Sequence, residues 1–186
     1  IEGKLKFFDL IKPKISFDFL GGMFLSIFRK KNWDNYSYIL DHDAINDSQT
    51  FSHFDNTFPH LKIFSHAFSN SMAYFNPVPL NICLTGARDW SPMEPLVRNV
   101  RLVEALRLYR DNGLPIIQYH VCRNFALSNF IPGMGYMFFN KEISGYKYIN
   151  PIKIIFSNCL YPRFYLSLFS FIIRKIKKKL TPKSNI

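Results

Sequence analysis

The sequence predicts an α/β fold, in which a few short strands alternate with helices and an amphipathic basic helix closes the chain. Two patterns indicate this class. Apolar residues alternate with other residues through 78–84, the period of a strand, whereas they recur at helical spacing after Pro59. The third observation is composition. The chain has 186 residues, 48% hydrophobic and 20% charged, which is enough for a packed core and excludes a disordered chain.

The net charge of +11 is unevenly distributed along the chain. Residues 1–150 are nearly balanced, whereas residues 151–186 contain basic residues and no acidic ones. The basic residues of this tail are Lys153, Arg163, Arg174, Lys175, Lys177, Lys178, Lys179 and Lys183. The three cysteines, Cys83, Cys122 and Cys159, have no CxxC spacing, which is typical of reduced thiols and not of a disulfide framework or a zinc site.

The first third of the chain predicts one strand and one long loop. Residues 1–14 end near a proline and predict a short helix or loop. The apolar run Met23–Phe28 follows two glycines and predicts a buried strand, after which Trp33 begins a short helix or turn. Residues 40–57 are rich in Asp, Asn, Ser and His and predict a polar loop, and a loop of this length is often functional.

The middle of the chain predicts a helix, a strand and a second helix. Pro59 suits the first position of a helix with an apolar stripe, and residues 72–75 and 78–84 read as strand. After a turn at 85–90, the run Ser91-Pro92-Met93-Glu94 predicts a capping box at a helix start, and Asn112-Gly113 predicts its end.

A further helix is expected over 116–130, broken by the Pro-Gly-Met-Gly run at 132–135. The chain then divides into three expected parts. Residues 1–113 form the main α/β part, 114–150 a helical extension and linker, and 151–186 a basic-aromatic tail.

The tail pattern is typical of a helix that lies on a membrane surface. The apolar run Phe164–Ile173 is too short to span a bilayer, and a basic cluster follows it directly. A C-terminal core helix with a solvated basic end would show the same pattern. Nucleic acid is excluded as a partner, since no recognised module accompanies the charge. The residues expected to bind an anionic surface are Arg174, Lys175, Lys177, Lys178 and Lys179.

Two polar clusters are candidates for chemistry. The first lies in the predicted loop and supplies carboxylates and imidazoles suited to acid–base work, but its spacing matches no zinc template. Its members are Asp41, His42, Asp43, His53, Asp55 and His60. The second is Arg88-Asp89-Trp90, where an arginine before a helix start suits phosphate oxygens. Each cluster also has a non-functional interpretation. The first cluster would then consist of solvated loop residues, and the second of a packed tryptophan beside an Arg–Asp ion pair.

The order of three segments resembles the C-terminal half of bacterial family 2 glycosyltransferases, in particular the abequosyltransferase-like branch of O-antigen synthesis. The resemblance covers residues 17–110. It rests on Gly21-Gly22-Met23-Phe24-Leu25-Ser26-Ile27-Phe28-Arg29-Lys30-Lys31-Asn32-Trp33, on Asn56-Thr57-Phe58-Pro59-His60, and on the Pro79-Leu80 strand that enters Gly86-Ala87-Arg88-Asp89-Trp90.

The resemblance implies the acceptor half of a GT-A fold, with the nucleotide-binding half absent from this chain. A divalent metal, Mg or Mn, is expected only with that missing half. His60 stands where relatives carry the catalytic base, and Asp55 is the nearest carboxylate that could serve instead. Arg88 and Trp90 resemble the loop that meets the diphosphate and the acceptor, although Asp89 between them departs from the family pattern.

The function expected from this resemblance is transfer of a sugar, such as a deoxyhexose, from a nucleotide-sugar to a lipid-linked oligosaccharide. The protein would work as a peripheral enzyme at the cytoplasmic face of the inner membrane, during lipopolysaccharide O-antigen synthesis, and this fragment would be inactive alone. The alternative is a non-catalytic, membrane-peripheral binding module whose tail does the binding.

Overall fold

The computed structural model describes residues 3–13, 26–76, 78 and 90–180. Helices dominate this part of the chain, and its sheet has two strands, β1 (Gly3–Lys6) and β2 (Met72–Phe75). The strands pair antiparallel, with Gly3 opposite Phe75 and Lys6 opposite Met72. A mixture of helix and strand is therefore confirmed, with far more helix than the sequence indicated.

The described residues contain α-helices of three to nineteen residues. In chain order they are α1 (Lys30–Tyr36), α2 (His42–Asn46), α3 (Phe54–Thr57), α4 (Pro59–Ala67), α5 (Glu94–Leu96), α6 (Leu102–Asp111), α7 (Ile116–Ala126), α8 (Phe130–Phe139), α9 (Pro151–Asn158) and α10 (Pro162–Leu180). A π-helical turn, Val97–Arg101, joins α5 to α6. Among the described residues, none of these helices combines the length and hydropathy needed to cross a bilayer.

The first half of the chain corrects two predictions. Residues Gly3–Lys6 form a strand and not a helix or loop, because β2 supplies a pairing partner that local sequence does not reveal. The predicted polar loop 40–57 contains the helices α2 and α3. Asp41 caps α2, with its carboxylate accepting hydrogen bonds from the amides of Asp43 at 3.1 Å and Ala44 at 3.0 Å.

Local signals located several boundaries correctly. The helix that starts at Pro59 is confirmed, as is the strand at 72–75. The helix before Gly113 ends at Asp111, and Gly113 adopts a φ of +107° that favours glycine. Half of the proposed strand at 23–28 lies outside the described residues, and the described half, Ser26–Phe28, has no regular structure. Residues 79–84 lie outside the described residues entirely.

The capping box predicted at Ser91–Glu94 is wrong. The helical region begins at Ser91 as a 3₁₀ turn with Trp90 at the N-cap position. The Glu94 carboxylate accepts a hydrogen bond from Arg98 at 2.7 Å, one turn further on, and is therefore engaged along the helix surface.

The helix break predicted at 132–135 is also wrong, because α8 runs through it. Pro132 occupies the first turn of α8, where an amide has no partner within the helix. Gly133 allows close packing, since a Cβ there would collide with the Asn99 side chain and touch Pro95. The run that resembles a breaker is therefore a helix–helix contact.

Two hydrophobic clusters form the core. The first gathers the 3₁₀ turn Phe7–Leu10, α4, α6 and α7 around side chains such as Phe64, Leu106 and Tyr109. The second gathers α5, α8 and the start of α10 around Leu96 and Phe130. The helical stretch 91–111 supplies residues to both clusters and connects them. The segment between α2 and α3, which packs across this stretch, is therefore fixed relative to the core.

Candidate functional site

A polar cleft of about 370 Å³ lies where the segment between α2 and α3 crosses the π-helical turn. The start of α6 and the 3₁₀ turn Tyr146–Tyr148 complete its walls. The residues that line it are Asp47, Gln49, Ser52, His53, Phe54, Arg101, Glu104 and Tyr148. Four of these carry ionisable groups other than tyrosine, which makes this cleft the candidate site.

Phe51 fixes the backbone that forms one wall of the cleft. Its φ is +61°, a left-handed conformation that residues other than glycine rarely adopt. The ring packs against both hydrophobic clusters and meets Trp90 edge-on, with 5.3 Å between the ring centroids. Strained backbone of this kind persists only where surrounding contacts enforce it, and it is concentrated at functional sites.

Arg101 holds the same wall from beneath. It is the last residue of the π-helical turn and only 5% exposed. Its guanidinium donates to the carbonyls of Phe51 and Ser52, and to both carboxylate oxygens of Glu104 at 2.8 and 3.1 Å. Short π-helical turns are frequently found at functional sites. Here the turn brings a buried cation to the back of the cleft.

Asp47 and His53 form one rim of the cleft. The Asp47 carboxylate accepts hydrogen bonds from the Ser52 hydroxyl at 2.6 Å and the Gln49 amide at 2.9 Å. These bonds, the hydroxyl first, lower the pKa of Asp47. The Nε2 atom of His53 lies 3.4 Å from the same carboxylate. An ionised carboxylate and an exposed imidazole therefore share one edge.

The second rim comes from a distant part of the chain. The Gln49 side-chain oxygen accepts hydrogen bonds from the Lys147 ammonium at 2.8 Å and from the Tyr148 hydroxyl at 3.0 Å. Gly145 precedes this turn with a φ of +71°, and a Cβ there would collide with Leu96. The rim is thus anchored both to the core and to the 47–54 segment.

Asp55, expected as a candidate base, is held away from the cleft. It is 5% exposed, and its carboxylate accepts a 2.6 Å hydrogen bond from the Lys62 ammonium and a 2.7 Å bond from the Asp41 amide. These contacts connect α3 to α4 and to the cap of α2. They give Asp55 a structural task, and its catalytic role stays a prediction.

His60, the other expected base, packs against the first hydrophobic cluster. It is 4% exposed, and its ring meets the rings of Phe58 and Phe64 edge-on at 5.9 and 5.7 Å. The side chain of a first-turn residue was expected to reach a cleft, but this one points among aromatic rings. Its role as a base also stays a prediction.

Only one of the two residues expected to bind phosphate lies within the described part of the chain. Arg88 lies outside the described residues. Trp90 is described and packs against Phe51, and so it supports the cleft wall from behind without lining the cleft. Of the other loop candidates, Asp41 caps α2, whereas His42 and Asp43 are exposed on that helix. In the described part of the chain, no three His, Cys, Asp or Glu side chains are grouped to hold a metal ion.

The basic residues of the tail lie on α10. Arg174, Lys175 and Lys177 are exposed, and the backbone helix continues through Lys178 and Lys179 to Leu180. One side of α10 packs on α8, where the Ser167 hydroxyl accepts a 3.0 Å hydrogen bond from the Ile131 amide. The tail therefore contains a helix whose other side is exposed, and its role on a membrane surface stays a prediction.

Of the eight residues that line the cleft, sequence reasoning named only His53. Four others lay in the predicted loop without being singled out: Asp47, Gln49, Ser52 and Phe54. The remaining three, Arg101, Glu104 and Tyr148, were missed altogether. They lie about 50 and 100 residues from the polar segment, so no local pattern joins them to it. One signal was available for the first. Arg101 falls among the apolar positions of its helix, next to Val100 and Leu102, where a charged residue requires buried partners.

Comparison of the chain with protein-family models, with curated proteins and with solved structures finds no match. The case for a function therefore depends on the chemistry of the residues and on the resemblance of the three segments.

Proposed function

We propose that this chain is the acceptor-side part of a membrane-surface glycosyltransferase of the GT-A type. It would transfer a sugar from a nucleotide-sugar to a hydroxyl of a lipid-linked oligosaccharide. The resemblance of residues 17–110 supports the reaction class, and a polar cleft is a suitable place for a sugar. The observation that carries the membrane part is the outward face of α10.

That outward face is an apolar stripe. Its side chains are between 44% and 60% exposed, and they lie within about a third of the helix circumference. They are Tyr165, Leu166, Phe169, Ile172, Ile173 and Ile176. The opposite side of the helix contains the buried Phe164 and Ser167. A helix with an unpaired apolar side and basic residues beside it is typical of interfacial helices.

α9 adds apolar surface next to this stripe in the chain. Ile152 and Phe156 of α9, with Leu160 in the turn that follows it, are more than 60% exposed. Together with α10 they exceed the scattered apolar residues of an ordinary surface. The region 151–186 has basic but no acidic residues, and each basic residue near an anionic leaflet contributes roughly 1 kcal/mol. Charge complementarity therefore favours an anionic lipid surface over a neutral partner.

The proposed reaction forms one bond and breaks one. The acceptor oxygen bonds to the anomeric carbon of the donor sugar, and the bond from that carbon to the diphosphate breaks. The nucleoside diphosphate leaves with the electron pair, and the hydroxyl proton passes to a base. His60 and Asp55 are the predicted bases, and Arg88 with Trp90 the predicted contacts of the diphosphate. A divalent ion, Mg or Mn, is proposed to come with the nucleotide-binding half, as the resemblance implies.

Vesicle co-sedimentation tests the membrane part. The chain should bind vesicles of phosphatidylcholine with phosphatidylglycerol, and bind pure phosphatidylcholine weakly. A triple Leu166→Ser, Phe169→Ser, Ile173→Ser variant should lose binding while keeping its circular dichroism spectrum. The matched control replaces three exposed apolar residues of α7, Ile116, Ile117 and Val121, with serine. Binding that survives in the α10 variant, or is lost equally in the control, would overturn the proposal.

An activity assay tests the reaction part and separates it from a non-catalytic membrane module. The gene is first read upstream of Ile1 for a nucleotide-binding half with an acidic metal-binding motif, and the complete protein is then supplied with nucleotide-sugars and a lipid-linked acceptor. Release of nucleoside diphosphate with glycosylated lipid supports the transferase. Membrane binding without any turnover would favour the binding module.

A further inference from the structure

We infer that the cleft between the 47–54 segment and the Arg101–Glu104 turn binds a neutral sugar ring, which we identify as the acceptor sugar if the proposed function holds. Of the two residues singled out from sequence for the acceptor, Trp90 does not line this cleft and Arg88 lies outside the described residues. The residues that line the cleft are therefore a new set. Its main members are Asp47, His53, Glu104 and Tyr148.

The guanidinium of Arg101 disfavours an anionic ligand because the residue is 5% exposed and each of its three nitrogens already donates hydrogen bonds to the protein. Two go to Glu104, two to the Phe51 carbonyl and one to the Ser52 carbonyl. A phosphate or diphosphate entering the cleft would have to break these bonds and would face two carboxylates.

The groups that remain open are mostly hydrogen-bond acceptors. The side chain of Glu104 is 42% exposed and that of Asp47 is 21% exposed, and both residues line the cleft together with Phe54 and Tyr148. A ligand that offers several hydroxyl donors around an otherwise apolar ring matches this set. A sugar has both features and is neutral, whereas a nucleoside diphosphate is negatively charged.

The size and rigidity of the cleft agree with such a ligand. Its volume of about 370 Å³ lies at the lower end of small-molecule sites, which suits one or two sugar rings. The Phe51 backbone, the Asp47 hydrogen bonds and the Gln49 contacts to Lys147 and Tyr148 hold the walls before a ligand arrives. Preformed acceptors lower the entropic cost of binding.

In the sequence, one residue of the cleft comes directly before the apolar surface that we propose to contact the membrane. Tyr148 on its rim is followed by α9, whose exposed Ile152 and Phe156 belong to the apolar surface. A lipid-linked acceptor has a polar sugar end and an apolar lipid end. The polar cleft suits the sugar end, and the exposed apolar residues of α9, which follow the cleft residue Tyr148 in the chain, suit the lipid end.

Binding of small probes to the intact chain tests the inference without requiring transfer. The probes are the methyl α-glycosides of glucose, galactose, mannose and rhamnose, with inorganic pyrophosphate as the anionic comparison. Saturation-transfer NMR should detect at least one glycoside, and His53 ring resonances should shift on titration. Absence of binding by all four glycosides, or His53 shifts caused by pyrophosphate alone, would overturn it.

Matched variants locate the binding. Asp47→Asn and Glu104→Gln remove charged acceptors from the cleft and should weaken glycoside binding about tenfold, the effect of one lost charge-assisted hydrogen bond. Glu94→Gln removes a carboxylate of the exposed Arg98 pair and should leave binding unchanged. Thermal unfolding of each variant identifies any loss that comes from the fold. Equal affinity in the wild type and in both cleft variants, with all folded, would refute the site.

The two proposals fail separately. Glycoside binding at the cleft without turnover by the complete protein would retain the sugar site and refute the transferase. Turnover by the complete protein that is unaffected by Asp47→Asn and Glu104→Gln would retain the transferase and refute the acceptor site.

Discussion

The guanidinium of Arg101 lies 2.8 Å from the carboxylate of Glu104, one turn along the same helical stretch. Only the arginine is buried, while the glutamate faces the cleft. The two residues of the pair therefore have different roles. The buried Arg101 guanidinium holds the backbone at Phe51 and Ser52 through hydrogen bonds, and the exposed Glu104 carboxylate is accessible to a ligand in the cleft. A second Arg–Glu pair, Arg98 with Glu94, lies on the surface of the same stretch.

We expect Arg101→Ala to destabilise the protein far more than Arg98→Ala. The first change leaves two backbone carbonyls without their donor in a buried place, which costs about 2–4 kcal/mol. The second removes a solvent-exposed pair with a typical contribution of about 0.5 kcal/mol. Urea unfolding of both variants measures the difference. Equal losses would mean that Arg101 does not support the 47–54 segment.

The two glycines of α8 should respond in opposite ways to alanine. Gly133→Ala adds a methyl group that collides with the Asn99 side chain, and overpacking of this kind costs about 1–3 kcal/mol. Gly135→Ala meets the Phe171 ring at 4.0 Å, an ordinary contact, and gains up to about 1 kcal/mol of helix propensity. Thermal unfolding would contradict this packing if both variants shifted in the same direction.

Those glycines also illustrate how much of the fold could be predicted from sequence. Signals within a few residues located boundaries well, as at Pro59 and Gly113, because a proline at a helix start and a glycine at positive φ act locally. The Gly133 region was misjudged because its meaning depends on Asn99, 34 residues earlier. The same reason applies to β1, which needs β2 to become a strand.

The candidate site was predicted in part for a similar reason. Its polar composition indicated that residues 40–57 were functional, and His53 was among the candidates named there. Asp55 and His60 carry the right chemistry, but their burial depends on Lys62, Phe58 and Phe64, which the spacing of polar residues does not reveal. Residue types therefore indicated the segment, and packing decided which of its side chains face the cleft.

His60 can be tested as a base by a substitution that keeps its ring. We expect His60→Ala to lose about 2–4 kcal/mol of stability, since it empties a buried aromatic position. His60→Phe retains an aromatic ring and removes the titratable nitrogens, so turnover per folded molecule of the complete enzyme should fall strongly, because the acceptor hydroxyl then lacks its predicted base. A folded His60→Phe variant with near-normal turnover would exclude His60 as the base.

Asp41 should make stability depend on pH in the acidic range. The hydrogen bond from the Ala44 amide, more than that from Asp43, holds the pKa of the Asp41 carboxyl below its ordinary value of 3.8. A group with a lowered pKa in the folded state stabilises the fold above the unfolded pKa, and this contribution is lost as pH falls through the folded value. The free energy of unfolding should therefore decline as pH drops below about 3.8.

Asp41→Asn isolates this effect, because asparagine caps a helix about as well as aspartate but does not titrate. The variant should match the wild type near neutral pH and show a shallower decline in acid. Asp43→Asn, in the same first turn but without a capping role, is the matched control and should retain the wild-type slope. Urea unfolding from neutral to acidic pH measures all three proteins. If Asp41→Asn declines as steeply as the wild type, other carboxyls account for the acid sensitivity and the cap does not.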